Sequence, residues 1–345
     1  MPMDYSDRLM KMRNASRQSL ETSDTRKPPE PANEDIRESL NISDSVEVVF
    51  PLSDVILGYL NLEETVAKPL PDGFSQRLYK FMQASEILWT GPFPRQKMVF
   101  KCAPNVVVKA VRKHSDHTEY TTLQFLQNHR PSIPAPRPLG LVRMSGITLI
   151  FITYTASKTL DDVWKGLDHA QKSSISNQLD MILKDLRSIP YDPELPLGGV
   201  AGEGCKDIRR HLRTSDKPIK TIIEFEDFLS SSPQAHSSIF VELLRQLSLL
   251  SQSQTSLLKV VFTHGDLRPD NIMIEMGEDN QLTVSGLLDW EYSGFYPEYY
   301  EAVRCTNCLA PCDRNDWYLF LPKCVSPKRY AQWWLLDRVR ETMFL

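Results

Sequence analysis

The chain contains no apolar run approaching the roughly 18 residues that a membrane-spanning helix needs. Its first residues, Met1-Pro2-Met3-Asp4-Tyr5-Ser6-Asp7-Arg8, lack the apolar core of a secretory signal. A soluble, cytoplasmic protein with no membrane partner is therefore expected. A basic balance is also missing. The 40 Lys and Arg face 44 Asp and Glu, for a net charge of −4 with both signs dispersed, which argues against a nucleic-acid partner. No Gly-x4-Gly-Lys-Ser/Thr phosphate loop occurs. The six cysteines, at 102, 205, 305, 308, 312 and 324, do not suit a disulfide scaffold in an unsecreted chain. The spacing of Cys305, Cys308 and Cys312 invites a zinc reading. It is equally one face of a helix, where cysteine packs as a small hydrophobe, and that reading is preferred. What remains is a core-forming chain of 345 residues and 41% hydrophobic content, enough for one large domain or two lobes.

What the chain does contain is concentrated between residues 260 and 291. Val260-Val261-Phe262 reads as a short buried strand that delivers a polar loop, 263–271, to the surface. Ile272 to Glu275 reads as a strand, Gly277-Glu278-Asp279-Asn280 as a turn, and Leu282 to Leu288 as the returning strand. A hairpin of this size brings the chain back to where it left, so Asn271 and Asp289 are expected side by side near Asp266. Mg²⁺ takes hard oxygen donors, and one Asn with one Asp suffices when substrate phosphates complete the shell. The remaining carboxylate, Asp266, can accept or orient the proton of an attacking hydroxyl. A plainer reading has His264 and Asp266 capping a turn and Asn271 opening a strand. Chance alone should produce His-Gly-Asp-x4-Asn in about one chain in a thousand, so phosphoryl transfer is the stronger reading.

His264-Gly265-Asp266-Leu267 with Asn271, followed by Leu288-Asp289-Trp290-Glu291 and then Glu298-Tyr299, resembles the aminoglycoside phosphotransferase and choline kinase-like family, its fungal branch in particular. The resemblance covers about residues 80–310. It implies a two-lobed, protein-kinase-like α+β fold with a small antiparallel-sheet N-lobe and a larger, mainly helical C-lobe. The expected division is a disordered polar tail over 1–45, a nucleotide-binding N-lobe over 46–153, and a C-lobe over 154–345 carrying the catalytic loop, metal site and acceptor pocket. ATP is implied as phosphate donor, Mg²⁺ as cofactor and a small hydroxyl-bearing molecule as acceptor. Asp266 becomes the catalytic base or orienter, and Asn271 and Asp289 the metal ligands. His264 would support the loop by hydrogen bonding rather than act as base.

The same resemblance gives meaning to Lys109, which closes the run Val106-Val107-Val108, and to Glu119 ten residues later in an amphipathic helical stretch. Paired, they would hold an ammonium over the nucleotide phosphates. Taken alone, Lys109 could equally snorkel from a strand end, and Glu119 serve as a first-turn carboxylate. Thr153 and Tyr154 fall at the interlobe hinge, where backbone groups hold adenine, with Ser157 in place of the family's glycine.

Other departures bear on activity. Thr90-Gly91-Pro92-Phe93-Pro94-Arg95, the one candidate for a loop over the phosphates, has a single glycine, which keeps open a nucleotide-binding pseudoenzyme. Protein kinases carry a long activation segment after the metal Asp and an Arg at the position of Gly265; their absence favours a small-molecule acceptor over a peptide. Helical periodicity is read at 51–66, 74–87, 171–186, 221–229 and 238–250. The rings of Trp290, Tyr292, Phe295, Tyr296, Tyr299 and Tyr300 could cage an ammonium-bearing acceptor. Core packing is preferred for most of them.

Overall fold

The computed structural model describes residues 35–62, 70–92, 95–112, 115–208, 212–231, 238–250, 258–277, 281–309 and 313–341. The first lobe is one antiparallel sheet of six strands: β1 (Val46–Phe50), β2 (Glu86–Thr90), β3 (Lys97–Ala103), β4 (Val106–Arg112), β5 (Pro138–Met144) and β6 (Ile147–Thr153), in the order β1-β5-β6-β4-β3-β2. Helices α1 (Asp54–Tyr59), α2 (Phe74–Gln83) and α3 (Thr118–His129) accompany it. Alternation sorts the central strand β4. Val106, Val108 and Ala110 pack with Phe74, Leu78 and Met82 of α2 on one face. Val107, Lys109 and Val111 therefore point to the other face, towards α3.

The second lobe holds β7 (Lys158–Thr159), β8 (Lys206–Asp207), β9 (Arg213–Thr214), β10 (Val260–Thr263), β11 (Ile272–Met276), β12 (Leu282–Leu287) and β13 (Gly294–Pro297). Its helices are α4 (Leu160–Trp164), α5 (His169–Arg187), α6 (Ile222–Ser230), α7 (Ser238–Leu250), α8 (Tyr300–Arg304) and α9 (Ala331–Glu341). The periodic stripe Ile175, Leu179, Leu183 and Leu186 of α5 is buried against Trp164, Phe262, Ile272, Leu287 and Trp290. Leu123 and Leu126 of α3 join that same core, so α3 belongs by packing to both lobes. Thr159 caps α4 in a reciprocal capping box with Asp162, as its Thr and acidic first turn predict. The whole is the two-lobed, protein-kinase-like α+β fold expected from the sequence. No helix among the described residues is long and apolar enough to cross a membrane.

Four local expectations need correction. Residues 35–45 are not a disordered tail. Asp35 caps a 3-10 turn at Ile36–Ser39, Ile36 and Leu40 are buried, and Arg37 donates to the Ser85 carbonyl at 2.6 Å. Two apolar anchors and one buried-side arginine are enough to order so short a segment; residues 1–34 lie outside the described residues. The predicted helix over 74–87 stops at Gln83, where Ser85 Oγ donates to the Met82 carbonyl, and Ile87 with Trp89 pairs with β3 instead, as β-branched and aromatic residues favour. The helix at 51–66 is confined to α1, with 63–69 outside the described residues. The helical face assigned to the late cysteines does not form, because α8 ends at Arg304. Cys305 is its buried cap, Cys308 is exposed, and Cys312 lies outside the described residues.

Candidate active site

The hairpin does what its length predicts. Ile272 faces Leu287 across the β11–β12 ladder, and Leu288 N–H donates to the Asn271 carbonyl at 2.8 Å. That bond closes the base of the hairpin and leaves Asp289 next to Asn271. Asp289 adopts φ +64, a left-handed conformation that Asp tolerates better than most residues. Asn271 Nδ2 donates to both the carbonyl and Oδ2 of Asp266, at 2.8 and 2.9 Å. Because that amide nitrogen faces two acceptors, the Asn271 side-chain oxygen is the end left to turn elsewhere.

The loop that carries Asp266 is held from beneath. Glu301, on α8 and 1% exposed, accepts from the backbone N–H of His264 at 2.6 Å and of Gly265 at 3.2 Å. Arg304 Nε donates to the Gly265 carbonyl at 3.0 Å. Gly265 sits at φ +85, and a Cβ there would lie 2.4 Å from the Tyr292 carbonyl oxygen, which only glycine avoids. The protein-kinase arginine cannot occupy this position for that reason. His264 is fully buried. Its Nε2 lies 3.0 Å from the Leu288 carbonyl, and its Nδ1 accepts from Asp266 N–H at 3.2 Å. Burial holds the imidazole below its usual range, so it is a neutral brace. Burial also pushes the Asp266 carboxyl above the usual aspartate range, against the opposing pull of Arg268, whose Nε is 3.3 Å from Oδ2.

Opposite, Lys109 Nζ is 2.7 Å from Glu119, 2.5 Å from Asp289 and 3.5 Å from Glu291. The three carboxylates lie with their oxygens within 4.8 Å of one another. Burial penalises the Lys109 charge, but Asp289, Glu119 and Glu291 outweigh it and hold the ammonium well above the usual lysine range. Glu291 also receives Lys97; burial opposes its charge, yet Lys109 and Lys97 together keep it well below the usual glutamate range. Glu119 moves the other way, because its burial outweighs Lys109.

The predicted residues Lys109, Glu119, Asp266, Asn271 and Asp289 are thus brought together at one place. At the hinge, Thr153 N–H is bonded to the Arg137 carbonyl and Tyr154 N–H to the Asn105 carbonyl, both at 3.0 Å. Lys101 Nζ lies 4.4 Å above the Tyr154 ring. Of the aromatic run, Trp290, Phe295, Tyr296, Tyr299 and Tyr300 are buried in the core, as preferred, and Tyr292 alone is partly exposed. Sequence reasoning missed Glu301, Lys97 and the role of Glu291. A lone acidic residue two places after Asp289 was the one visible signal. Glu301 and Lys97 are 36 and 194 residues from the groups they hold, which no local pattern reveals.

Comparison with known proteins bears on the family of the chain. Solved structures similar to the chain include the streptomycin-ATP-APH(2″)-IIa ternary complex, at 17% identity over 80% of this chain and 87% of that one, TM-score 0.49. Choline kinase LicA from Streptococcus pneumoniae is 13% identical over 77% and 86%, TM-score 0.42. Aminoglycoside phosphotransferase APH(3″)-Id from Streptomyces rimosus is 14% identical over 75% and 97%, TM-score 0.45. No curated protein sequence matches the chain significantly. The model of the phosphotransferase enzyme family APH matches residues 66–318, well over half of the chain. The chain belongs to that phosphotransferase family.

Proposed function

We propose that this phosphotransferase moves the γ-phosphate of ATP to a hydroxyl of a small molecule, in a Mg²⁺-dependent reaction. The N-lobe, ending at Thr153, would hold the nucleotide, and the C-lobe, from Tyr154, the acceptor. Adenine would rest at the hinge against backbone carbonyls of Thr153 and Tyr154, since their N–H groups are bonded internally. Lys109, braced by Glu119, would neutralise phosphate oxygens as the nucleotide draws it from Asp289.

The donor set fits Mg²⁺. Asp289 offers carboxylate oxygens, and Asn271, its amide nitrogen engaged by Asp266, offers its side-chain oxygen. Asp289 and Asn271 would hold the ion, which would supply positive charge to offset that developing on the phosphate oxygens. Asp266 would take the proton of the acceptor hydroxyl as its oxygen bonds to the γ-phosphorus and the bond to the ADP oxygen breaks. A raised carboxyl pKa suits a base working near neutrality. Arg268 would keep that carboxylate charged and aimed. The observation that carries the reading is the bond from Asn271 to Asp266 at the foot of the hairpin that presents Asp289. It unites the base and both ligands in one rigid element.

The test is transfer of labelled phosphate from Mg·ATP into a pool of hydroxyl-bearing metabolites. The wild type should label a pool member, and Asp266→Ala should lose about 10²–10⁴-fold in rate while Mg·ATP still raises its Tm. Equal rates in the two proteins would defeat the assignment. Nucleotide binding with no transfer to any acceptor would point instead to a binding module.

A further inference from the structure

The first turn of α3 is fastened by polar contacts that the reaction itself does not use. Lys206, on β8, is only 3% exposed. Its ammonium meets three acceptors from two segments: the Asp116 carboxylate and Thr118 Oγ1, the latter at 2.7 Å, at the entry of α3, and the Glu291 carbonyl at 2.6 Å. An ammonium has three donors and no acceptor, so this set satisfies it completely. Asp116 in turn accepts from Thr118 N–H at 2.8 Å, at the entry of the helix that carries Glu119. One turn on, Thr121 donates to Glu203, and the Ser293 and Thr122 hydroxyls are hydrogen-bonded at 2.9 Å. The buried Thr118 and Thr122 on this face are explained by these partners.

Lys206 is itself pinned. Its N–H donates to Tyr296 Oη at 3.2 Å, and its carbonyl accepts from Tyr300 Oη at 2.8 Å. The loop leading to it bonds to β13 through Gly198 and Phe295, at 2.8 and 2.9 Å. A Cβ on Gly294 would lie 2.0 Å from the Gly198 carbonyl oxygen, so the two backbones meet at a distance only glycine permits. The glycine-rich stretch 198–204 thereby acquires a purpose: it carries Lys206 to a fixed point.

We propose that Lys206 is a positioning residue for the phosphate clamp. It latches the first turn of α3, and so Glu119, to the backbone two residues past Asp289, holding Glu119 against Lys109 before nucleotide arrives. The proposal rests on the ATP-dependent reading above. A buried ion pair is weak evidence for stability alone, and an apolar side chain would fill this site at least as well. The three acceptors, by contrast, lie beside the clamp and the metal loop.

The test compares full-length wild type, Lys206→Met and Lys206→Arg. Lys206→Met should raise the Kd and KM for Mg·ATP at least tenfold, with the acceptor KM unchanged. Amide exchange over 118–122 should speed up without nucleotide, and Lys206→Arg should recover most of both effects. Should Lys206→Met fail to fold, Asp116→Asn, at a partly exposed carboxylate, is read by the same measurements. A folded variant with unaltered ATP affinity and unaltered exchange overturns the proposal. So does a variant whose ATP and acceptor KM rise together in step with its Tm loss. A wild type that neither binds nor transfers nucleotide refutes the phosphotransferase reading instead, and the exchange comparison then decides the latch by itself.

Discussion

Lys109→Met tests the electrostatics of this charge cluster most directly. In the folded protein the ammonium stands among Glu119, Asp289 and Glu291, and Lys97 reaches Glu291 but not the other two. Methionine keeps the length and the apolar stem but leaves the buried Glu119 without its counter-charge. Removing one partner of a buried pair costs about 3–5 kcal/mol. An unfolding entropy of about 2.1 cal/mol/K per residue over roughly 300 residues gives a Tm loss of about 5–8 °C. The loss should depend on pH. Burial already holds the Glu119 carboxyl above its usual range with Lys109 in place. A group whose folded pKa lies above its unfolded value stabilises fully below the unfolded pKa, and that contribution is lost as pH rises through the folded one. Without the ammonium the folded pKa climbs further, so the deficit should be largest above neutrality and shrink as pH falls towards about 5. Calorimetric scans of both proteins across this range, with and without Mg²⁺, measure it. Mg²⁺ should raise the Tm of the variant more than that of wild type, since a cation at Asp289 relieves the same repulsion. A variant as stable as wild type at neutral pH, or one whose deficit ignores both pH and Mg²⁺, would refute the account.

Two further substitutions probe the loop and the ligands. Gly265→Ala places a Cβ 2.4 Å from the Tyr292 oxygen at φ +85, and should cost about 1–3 kcal/mol in a denaturant melt and abolish transfer. An unchanged midpoint would mean the loop relaxes freely. Asn271→Ala removes both bonds to Asp266 and one ligand oxygen, so the Mg²⁺ concentration for half-maximal rate should rise about tenfold or more. A Mg²⁺ titration identical to wild type would remove Asn271 from the metal site.

How much of this was legible depended on how local each interaction is. The hairpin from Ile272 to Leu287 was readable because its strands, turn and returning strand are contiguous, and its closure alone places Asn271 beside Asp289. Lys109 was readable from chemistry: a charge in a run of valines demands a partner, and Glu119 begins the next helix. Glu301 and Lys206 were not readable. Glu301 stands in a short helix among buried aromatics, and its partners are backbone N–H groups, which leave no trace in residue type. Lys206 follows a glycine-rich loop that looks like surface until β13 is seen against Gly198. The error at residues 35–45 has the same origin, because Ile36 and Leu40 are too few to form a pattern yet suffice once a sheet is there to receive them. The cysteine face failed for the converse reason. Spacing implied a helix that the chain ends one residue before the first cysteine.

The segment after Asp289 explains why the site needs no separate ordering step. Trp290 is buried with its indole N–H on the Leu287 carbonyl, and Ser293 Oγ donates back to the Trp290 carbonyl. Residues 294–297 then pair with β10, the strand that leads into His264. Glu301 and Arg304, on the helix that follows, close the circuit on His264 and Gly265. The chain leaving Asp289 therefore returns to grip the loop that carries Asp266. Most residues along the way have a backbone partner or a buried side chain, so ordering entropy is lost once, at folding. A protein kinase leaves that circuit open across its activation segment and closes it by phosphorylation. Here the circuit is covalently short and closed by Glu301, and the Lys206 latch completes it on the side of Glu119. In the proposed reaction, the exchange of Lys109 between Asp289 and the phosphates would then be a motion of one side chain within this frame.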